Sequence, residues 1–344
     1  VFLSAFTTKT AVFVLIRGFP GSEILIFFGL YMIFYGIIYA LLENDMRRIL
    51  AYSIVNQVGF MITGIGIGTE MALNGAAAHA FTHIIYKALL LMSAGSVLLM
   101  TDKRKCTDLG GLFRTMPLTM FCGTIGALSI SSFPLTSGFI SKSMISQAAA
   151  DEHLMVVWMM LAAASAGVFL HAGIKFPWFV FFQKDSGMRP PEPPLNMRIA
   201  MVIMAAFCIG LGVAPGPLYA ILPYPVDYVP YTTSHVLTML QLLLFSGLAF
   251  FLLLPMMKRT LTITLDFDWF YRHLGVKLAK VLGDATSSFL KQFEGRLNLR
   301  LAGLIRLIVQ YHGPEGALAR TTQVGTMVQW MVILLCIYLV IYLI

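Results

Sequence analysis

The sequence predicts an all-α, polytopic membrane protein with about nine transmembrane helices, one of them broken, and a C-terminal in-plane amphipathic helix. Three observations carry that prediction. Hydrophobic residues make up 58% of the 344 and charged residues only 12%, half of the ~25% usual in a soluble domain. Apolar runs of about 18 residues or more recur along the chain, the length that crosses a hydrocarbon core. The Lys and Arg residues behind the net charge of +8 sit mostly in short loops and one late segment. That placement is topological, because cytoplasmic loops accumulate Lys and Arg. It points to a lipid bilayer as partner and away from nucleic acid.

The spans read as 2–17, 24–42, 49–68, 74–100, 116–149, 154–182, 197–222, 236–257 and 324–344. Most are near the ~20 residues a crossing needs at ~1.5 Å per residue. The first is short. Val1 opens directly into it, with no basic n-region and no cleavage motif, so it reads as a start in mid-protein and not as a signal peptide. The fifth is too long for one straight crossing. It contains Ser129-Ile-Ser-Ser-Phe-Pro-Leu-Thr-Ser-Gly138, where Pro134 removes a helical hydrogen bond and Gly138 loosens the turn. Small polar residues on both sides of Pro134 favour a true break over a kink, and broken helices at membrane depth line cavities.

The loops alternate in charge. Loop 43–48 ends in Arg47 and Arg48. Loop 101–114 holds Lys103, Arg104, Lys105 and Arg114, and loop 183–196 holds Lys184 and Arg189. Lys258 and Arg259 follow the eighth span. Loops 69–73, 150–153 and 223–235 have no Lys or Arg, and Arg17 is the exception. The basic loops are therefore expected in the cytoplasm. Residues 273–311 behave differently. Leu274, Leu278, Leu282, Phe289, Phe293, Leu297, Leu301 and Ile305 recur at helical spacing, while Lys277, Lys280, Lys291, Arg296, Arg300 and Arg306 take other faces. A basic amphipathic helix in the membrane interface fits. Docking on a soluble partner is the alternative.

Ionisable side chains inside spans are functional candidates by default, at a cost of ~2.5–3.5 kcal/mol each on insertion scales. Lys9 falls in the middle of the first span, unless it snorkels to a helix end. His79, His83 and Lys87 are spaced i, i+4, i+8 in the fourth span, so they share one stripe with neighbours ~6 Å apart along the axis. Imidazole takes a proton on one nitrogen and releases it from the other, so this ladder can serve as a proton wire. Two His at i, i+4 can also chelate zinc. However, the HExxH glutamate is absent and Lys87 is a poor ligand, so no metal site is expected. Lys142 follows the break, where it is a desolvated lysine or an interfacial anchor. His171 and Lys175 form a second-rank pair in the sixth span. Lys175 lies nearer the cytoplasmic end, so snorkelling competes there with a place in the relay. Ser53, Asn56 and Gln57 make a polar patch that holds water or glues helices together. The four cysteines are scattered, with no CxxC pair, so no redox cofactor is expected.

These residues carry a resemblance. Asp45-Met-Arg-Arg-Ile-Leu-Ala-Tyr-Ser53 with Gln57-Val-Gly59 resembles the D-x-K/R-R-x-L-A-Y-S…Q-x-G signature of antiporter-like membrane subunits. His79-x-x-x-His83-x-x-x-Lys87-Ala-Leu-Leu resembles their H-x-x-x-H-x-x-x-K helix. Leu109-Gly-Gly-Leu112, Phe133-Pro-Leu-x-x-Gly-Phe-x-Ser-Lys142 and Lys9-Thr-Ala11 match in order. The family is the proton-conducting subunits of respiratory complex I and of Mrp-type cation/proton antiporters, and the wording is most similar to the Mrp D-type subunits. The resemblance implies two inverted five-helix repeats joined by a polar axis. Lys9 would link the halves, His79, His83 and Lys87 would form the second half-channel relay, and Lys142 would be the terminal lysine.

It divides the chain into 1–20, the last helix of a missing first repeat; 21–182, the second repeat; 183–257, two further spans; 258–323, the amphipathic helix; and 324–344, the terminal span. The last two resemble the lateral arm of the longest complex I antiporter-like subunit. The implied function is proton translocation in a multisubunit monovalent cation/proton antiporter, with the chain a transporter component and not an enzyme. The alternatives are a proton-pumping subunit of a complex I type assembly and a non-transporting scaffold. The implied partners are other membrane subunits, protons and a monovalent cation. The implied location is the bacterial cytoplasmic (inner) membrane.

Overall fold

A computed structural model of the chain describes residues 3–255, 270–314, 316 and 324–343. It divides into two units, 1–264 and 265–344. In the first, a π-helical turn at Leu3–Thr7 leads into α1 (Thr8–Gly18), followed by α2 (Ile24–Leu42), α3 (Met46–Ile67) and α4 (Glu70–Thr101). The helix starts follow local chemistry. The Asp45 carboxylate accepts from the Arg47 backbone N–H at 2.9 Å, and the Thr69 hydroxyl accepts from Ala72 N–H at 3.3 Å. Both satisfy donors that a helix start leaves unpaired. α2 and α3 pack backbone to backbone. A Cβ added at Gly29 would meet Thr63 at 2.3 Å, and one at Gly59 would meet the Gly29 carbonyl at 2.6 Å. Such small-residue contacts are the usual way helices associate where hydrophobic exclusion offers no drive.

The long fifth span is two helices, α5 (Pro117–Ile130) and α6 (Ser137–Asp151), as the cluster around Pro134 predicts. Between them Ser132 and Leu135 take φ of 60° and 68°. That left-handed conformation is uncommon for side-chain-bearing residues. α7 runs Met155–Phe182 and contains π-helical turns at Phe169–Lys175 and Trp178–Phe182. α8 (Leu195–Val213) ends nine residues before the expected boundary at 222, because Pro215 and Pro217 stop it and Gly216–Tyr219 form only the short α9. α10 is Thr233–Leu253. The second unit holds α11 (Val276–His312), preceded by a π-helical turn at Phe270–Gly275, and α12 (Val324–Leu343). Among the described residues seven helices are long and apolar enough to cross a membrane: α2, α3, α4, α7, α8, α10 and α12. α5 and α6 share one expected crossing, and α1 has only 11 residues. Lys258, Arg259 and most of the segment joining α10 to α11 lie outside the described residues.

The charge alternation has a geometric counterpart. Asp45 and Lys105 form an antiparallel bridge, with Met46 N–H donating to Arg104 C=O at 2.9 Å and Cys106 N–H to Asn44 C=O at 2.8 Å. Ser186 N–H donates to Gly110 C=O at 3.1 Å, and Asp185 pairs with Arg189 at 2.5 Å and Arg114 at 3.6 Å. The three basic loops thus gather at one end of the first unit. Hydrogen bonding to Arg189 holds the Asp185 carboxyl well below the usual carboxylate range. Loops poor in Lys and Arg meet at the other end: Gly21 N–H donates to Ile65 C=O at 2.9 Å, and Asn74 exchanges two hydrogen bonds with the Tyr224 backbone at 3.0 and 3.1 Å.

Candidate functional site

The buried polar groups collect where α3, α4, α6 and α7 meet. On α4, His79, His83 and Lys87 are buried on one stripe, as their spacing predicts. Among the described residues no direct hydrogen bond joins the three, and the two imidazole rings are 6.3 Å apart. Each instead finds a partner on another helix. The Lys87 ammonium donates to Ser53 Oγ on α3 at 2.5 Å. His83 Nδ1 lies 2.5 Å from the Lys9 ammonium on α1, which also donates to Ser4 C=O at 2.9 Å. Lys9 is half-buried and turned inward, so it is not snorkelling. His83 Nε2 is buried without a partner.

His79 is the best connected. Its Nδ1 is 3.0 Å from Ser141 Oγ on α6, and its Nε2 is 3.2 Å from Gln57 Oε1 on α3. Tyr86 OH donates to the same Gln57 oxygen at 3.0 Å. Gln57 Nε2 donates to Asn56 Oδ1 at 2.6 Å, and Asn56 Nδ2 lies 2.8 Å from His171 Nε2 on α7. An unbroken series therefore runs from α6 through His79, Gln57 and Asn56 to His171, all fully buried. Donor roles assigned from this network all point toward His171, so its Nε2 accepts and its proton sits on Nδ1. His171 Nδ1 is itself buried without a partner.

Lys142 lies one turn past the break, fully buried. Its ammonium donates to Ile130 C=O at 2.7 Å and stands over the Phe60 ring at 4.7 Å. An interfacial anchor would be solvated, and this lysine is not. For Lys175 the snorkelling alternative falls away: it is 6% exposed and donates to the carbonyls of Ala40, Leu41 and Glu43 at 3.1, 2.6 and 2.6 Å. These are orphan acceptors at the end of α2, and a cation is the favoured partner there. Lys175 thus ties α7 to α2 and stands apart from the His79–His171 series. The pattern reading missed Tyr86, Ser141 and Thr82. The one signal for Tyr86 was its place seven residues after His79, on the same stripe. The Ser53, Asn56 and Gln57 patch meets protein partners on α4 and α7. No group of three His, Cys, Asp or Glu side chains converges as metal ligands among the described residues.

With this geometry in view, the comparisons are specific. Residues 1–169 match the model of the transmembrane family described as NADH:quinone oxidoreductase/Mrp antiporter. Residues 1–169 belong to that family. All of the polar series except His171 lies inside the matched span. The relatives come from several branches of the family. The D-type subunit of a Na⁺/H⁺ antiporter of Alkalihalophilus pseudofirmus is 32% identical over 235 residues, 68% of this chain and 48% of that one. The A/B-type subunit of a probable K⁺/H⁺ antiporter of Rhizobium meliloti is 30% identical over 226 residues, 62% of this chain and 23% of that one. Chain 5 of the NADH-ubiquinone oxidoreductase of Dictyostelium citrinum is 33% identical over 199 residues, 54% of this chain and 29% of that one. The chain thus spans about a quarter to a half of the length of these relatives. In fold it is similar to a chain of an archaeal membrane-bound sulfane sulfur reductase, with TM-score 0.60 and 23% identity over 98% of this chain and 62% of that one. A chain of the Mrp complex of a Dietzia species gives TM-score 0.52 and 19% identity over 57% of this chain and 45% of that one.

Proposed function

We propose that this chain is a proton-translocating membrane subunit of a multisubunit monovalent cation/proton antiporter. In this reading protons move between Lys9, His83, Lys87, His79 and Lys142 at the centre of the membrane, with His171 as a side branch. The observation that carries it is the gathering of these basic side chains inside the helices, with the Lys9 ammonium 2.5 Å from His83 and with His79, His83, Lys87 and Lys142 all buried. Ionisable side chains at membrane depth are costly and rare, and they mark ion and proton pathways. His79 can hold a proton on both nitrogens at once, because Ser141 Oγ and Gln57 Oε1 both accept. His171 can do so only if the Asn56 amide turns over and offers its oxygen. Gln57 and Asn56 are therefore positioning residues that fix which imidazole carries charge. Lys175 is left as the cap of α2. The basic end faces the cytoplasm in this reading, the partners are the other membrane subunits of the antiporter, and the membrane is the bacterial cytoplasmic one.

The test is proton flux in vesicles containing the assembled complex. Lys87→Ala and Lys142→Ala should each abolish cation-driven proton movement while the complex still assembles. Normal transport by both would end the relay model and leave a scaffold. A second reading, a proton-pumping subunit of a complex I type assembly, is supported by the long amphipathic α11 followed by α12. Cation-driven exchange without any electron donor favours the antiporter, whereas flux that requires electron transfer favours the second reading.

A further inference from the structure

We infer that the break between α5 and α6 is a binding site for a dehydrated alkali-metal cation, which takes the place of the Lys142 ammonium. The inference deepens the antiporter reading and rests on it for its functional meaning. It starts from an account of the last four carbonyls of α5, which the helix itself leaves unpaired. Ala127 C=O accepts from the Ser131 hydroxyl at 2.6 Å, Leu128 C=O from Phe133 N–H at 3.1 Å, and Ser129 C=O from Ser132 N–H at 3.1 Å. The chain thus closes three of the four within the break. The fourth, Ile130 C=O, is met by the Lys142 ammonium at 2.7 Å. When Lys142 gives up its proton or swings away, a fully desolvated carbonyl oxygen loses its cation.

The surroundings supply further oxygens, with the buried Cys208 thiol beside the Ser129 and Ser137 hydroxyls. Ser132 is fully buried, and its hydroxyl has no partner. Its backbone sits at φ 60°, a conformation held by the break. The Ser129 and Ser137 hydroxyls face each other across the break at 2.9 Å, and Gly138 brings the two half-helices into contact, since a Cβ there would lie 1.8 Å from Ser129 C=O. Carbonyl and hydroxyl oxygens at an unwound helix end are the ligand set that hard monovalent cations take in broken-helix transporters. The ionisable groups that sense Lys142 are His79, His83 and Lys87 on α4 and His171 on α7, all of them basic. Among the described residues no carboxylate pairs with the Lys142 ammonium, so a metal ion and that ammonium have none to share. The site holds one positive charge at a time, and that exclusivity couples proton release from Lys142 to cation entry.

The test uses the assembled complex in proteoliposomes. Ser132→Gly removes the orphan hydroxyl and relieves the left-handed backbone, so it is not expected to fail by misfolding. Ser137→Ala removes a second oxygen. Each should raise the half-saturating concentration of Na⁺, K⁺ or Li⁺ by about tenfold, leave the maximal rate at saturating cation unchanged, and alter the order of preference among the three ions. Half-saturation within twofold of the unaltered complex for all three ions in both variants would overturn the site. If the unaltered complex shows no cation-driven proton movement, the antiporter reading fails. The site is then decided by equilibrium binding of radioactive Na⁺ to the purified complex: binding lost in Ser132→Gly upholds it, and equal or absent binding in both overturns it.

Discussion

At Gln57 and Asn56 two neutral carboxamides stand between two imidazoles, and the sense of their hydrogen bonds decides where charge can rest. Asn56→Ala would strand the Gln57 amide and His171 Nε2 together. Each buried orphan costs about 1–3 kcal/mol, so the purified complex should unfold at a lower temperature. Asn56→Ser should restore part of the loss, and a melting curve unchanged in Asn56→Ala would contradict the network. The candidate residues on α4 were legible because a helix places i, i+4 and i+8 on one stripe. Their partners were not. Ser53, Gln57 and Ser141 meet the stripe only through packing between helices, which spacing within one helix cannot reveal. Lys175 shows the same limit. Its distance from the helix end suggested snorkelling, whereas the three carbonyls it binds belong to α2, more than 130 residues earlier in the chain.

Among the elements, the broken helix and the capped helix make opposite demands. The break was visible in sequence, since Pro134 and its small polar neighbours forbid a regular helix there. The early end of α8 was less visible, because the apolar run continues past Pro215. Gly138→Ala places a methyl group on Ser129 C=O. It should cost several times what an ordinary substitution does, beyond the ~1–3 kcal/mol typical of overpacking. Gly95→Ala, with open space around its Cα, is the control and should be neutral or slightly stabilising. Thermal dissociation of the purified complex reads both. Lys175→Met keeps the apolar stem but removes the donors that close α2. A loss of about 1.5–3 kcal/mol is expected for hydrogen bonds from a charged group, with partial recovery in Lys175→Arg.

For the first unit as a whole, the basic loops form a single clasped end. Asp185 holds it through Arg189 and Arg114. Its carboxyl is held below the usual range, so whatever the clasp contributes is present above the pKa of a free Asp and is lost only as the pH falls through the lower folded value. Mild acid should leave the clasp closed, whereas Asp185→Asn should open it at neutral pH. Trypsin cleavage after Arg114, which the clasp also holds, reads the difference, with faster cutting expected in the variant alone. Single cysteines placed at Lys105 and at Asp151 should be labelled from opposite faces of sealed vesicles. Labelling from the same face would break the assignment of the two ends. The pairing of the loops was foreshadowed by their charge, because short Lys- and Arg-rich loops stay on one side of a bilayer. The contacts that lock them, such as Ser186 to Gly110, have no local signature.

The step from Gln57 to Asn56 turns the polar series sideways around α3, away from the axis of α4 and toward α7. A membrane potential does work of about 2.3 kcal/mol per charge per 100 mV, but only on displacement along the bilayer normal. Gln57 and Asn56 are carboxamides that orient the two imidazoles without carrying a proton themselves, so this lateral leg moves no charge through that field. Changes at Asn56 or Gln57 should therefore slow flux by the same factor at zero and at high voltage. Changes at Lys9 or Lys142, where charge enters or leaves, should slow it by a factor that depends on voltage. Electrophysiology on the reconstituted complex would thus separate the lateral leg from the vertical ones by their electrical distance.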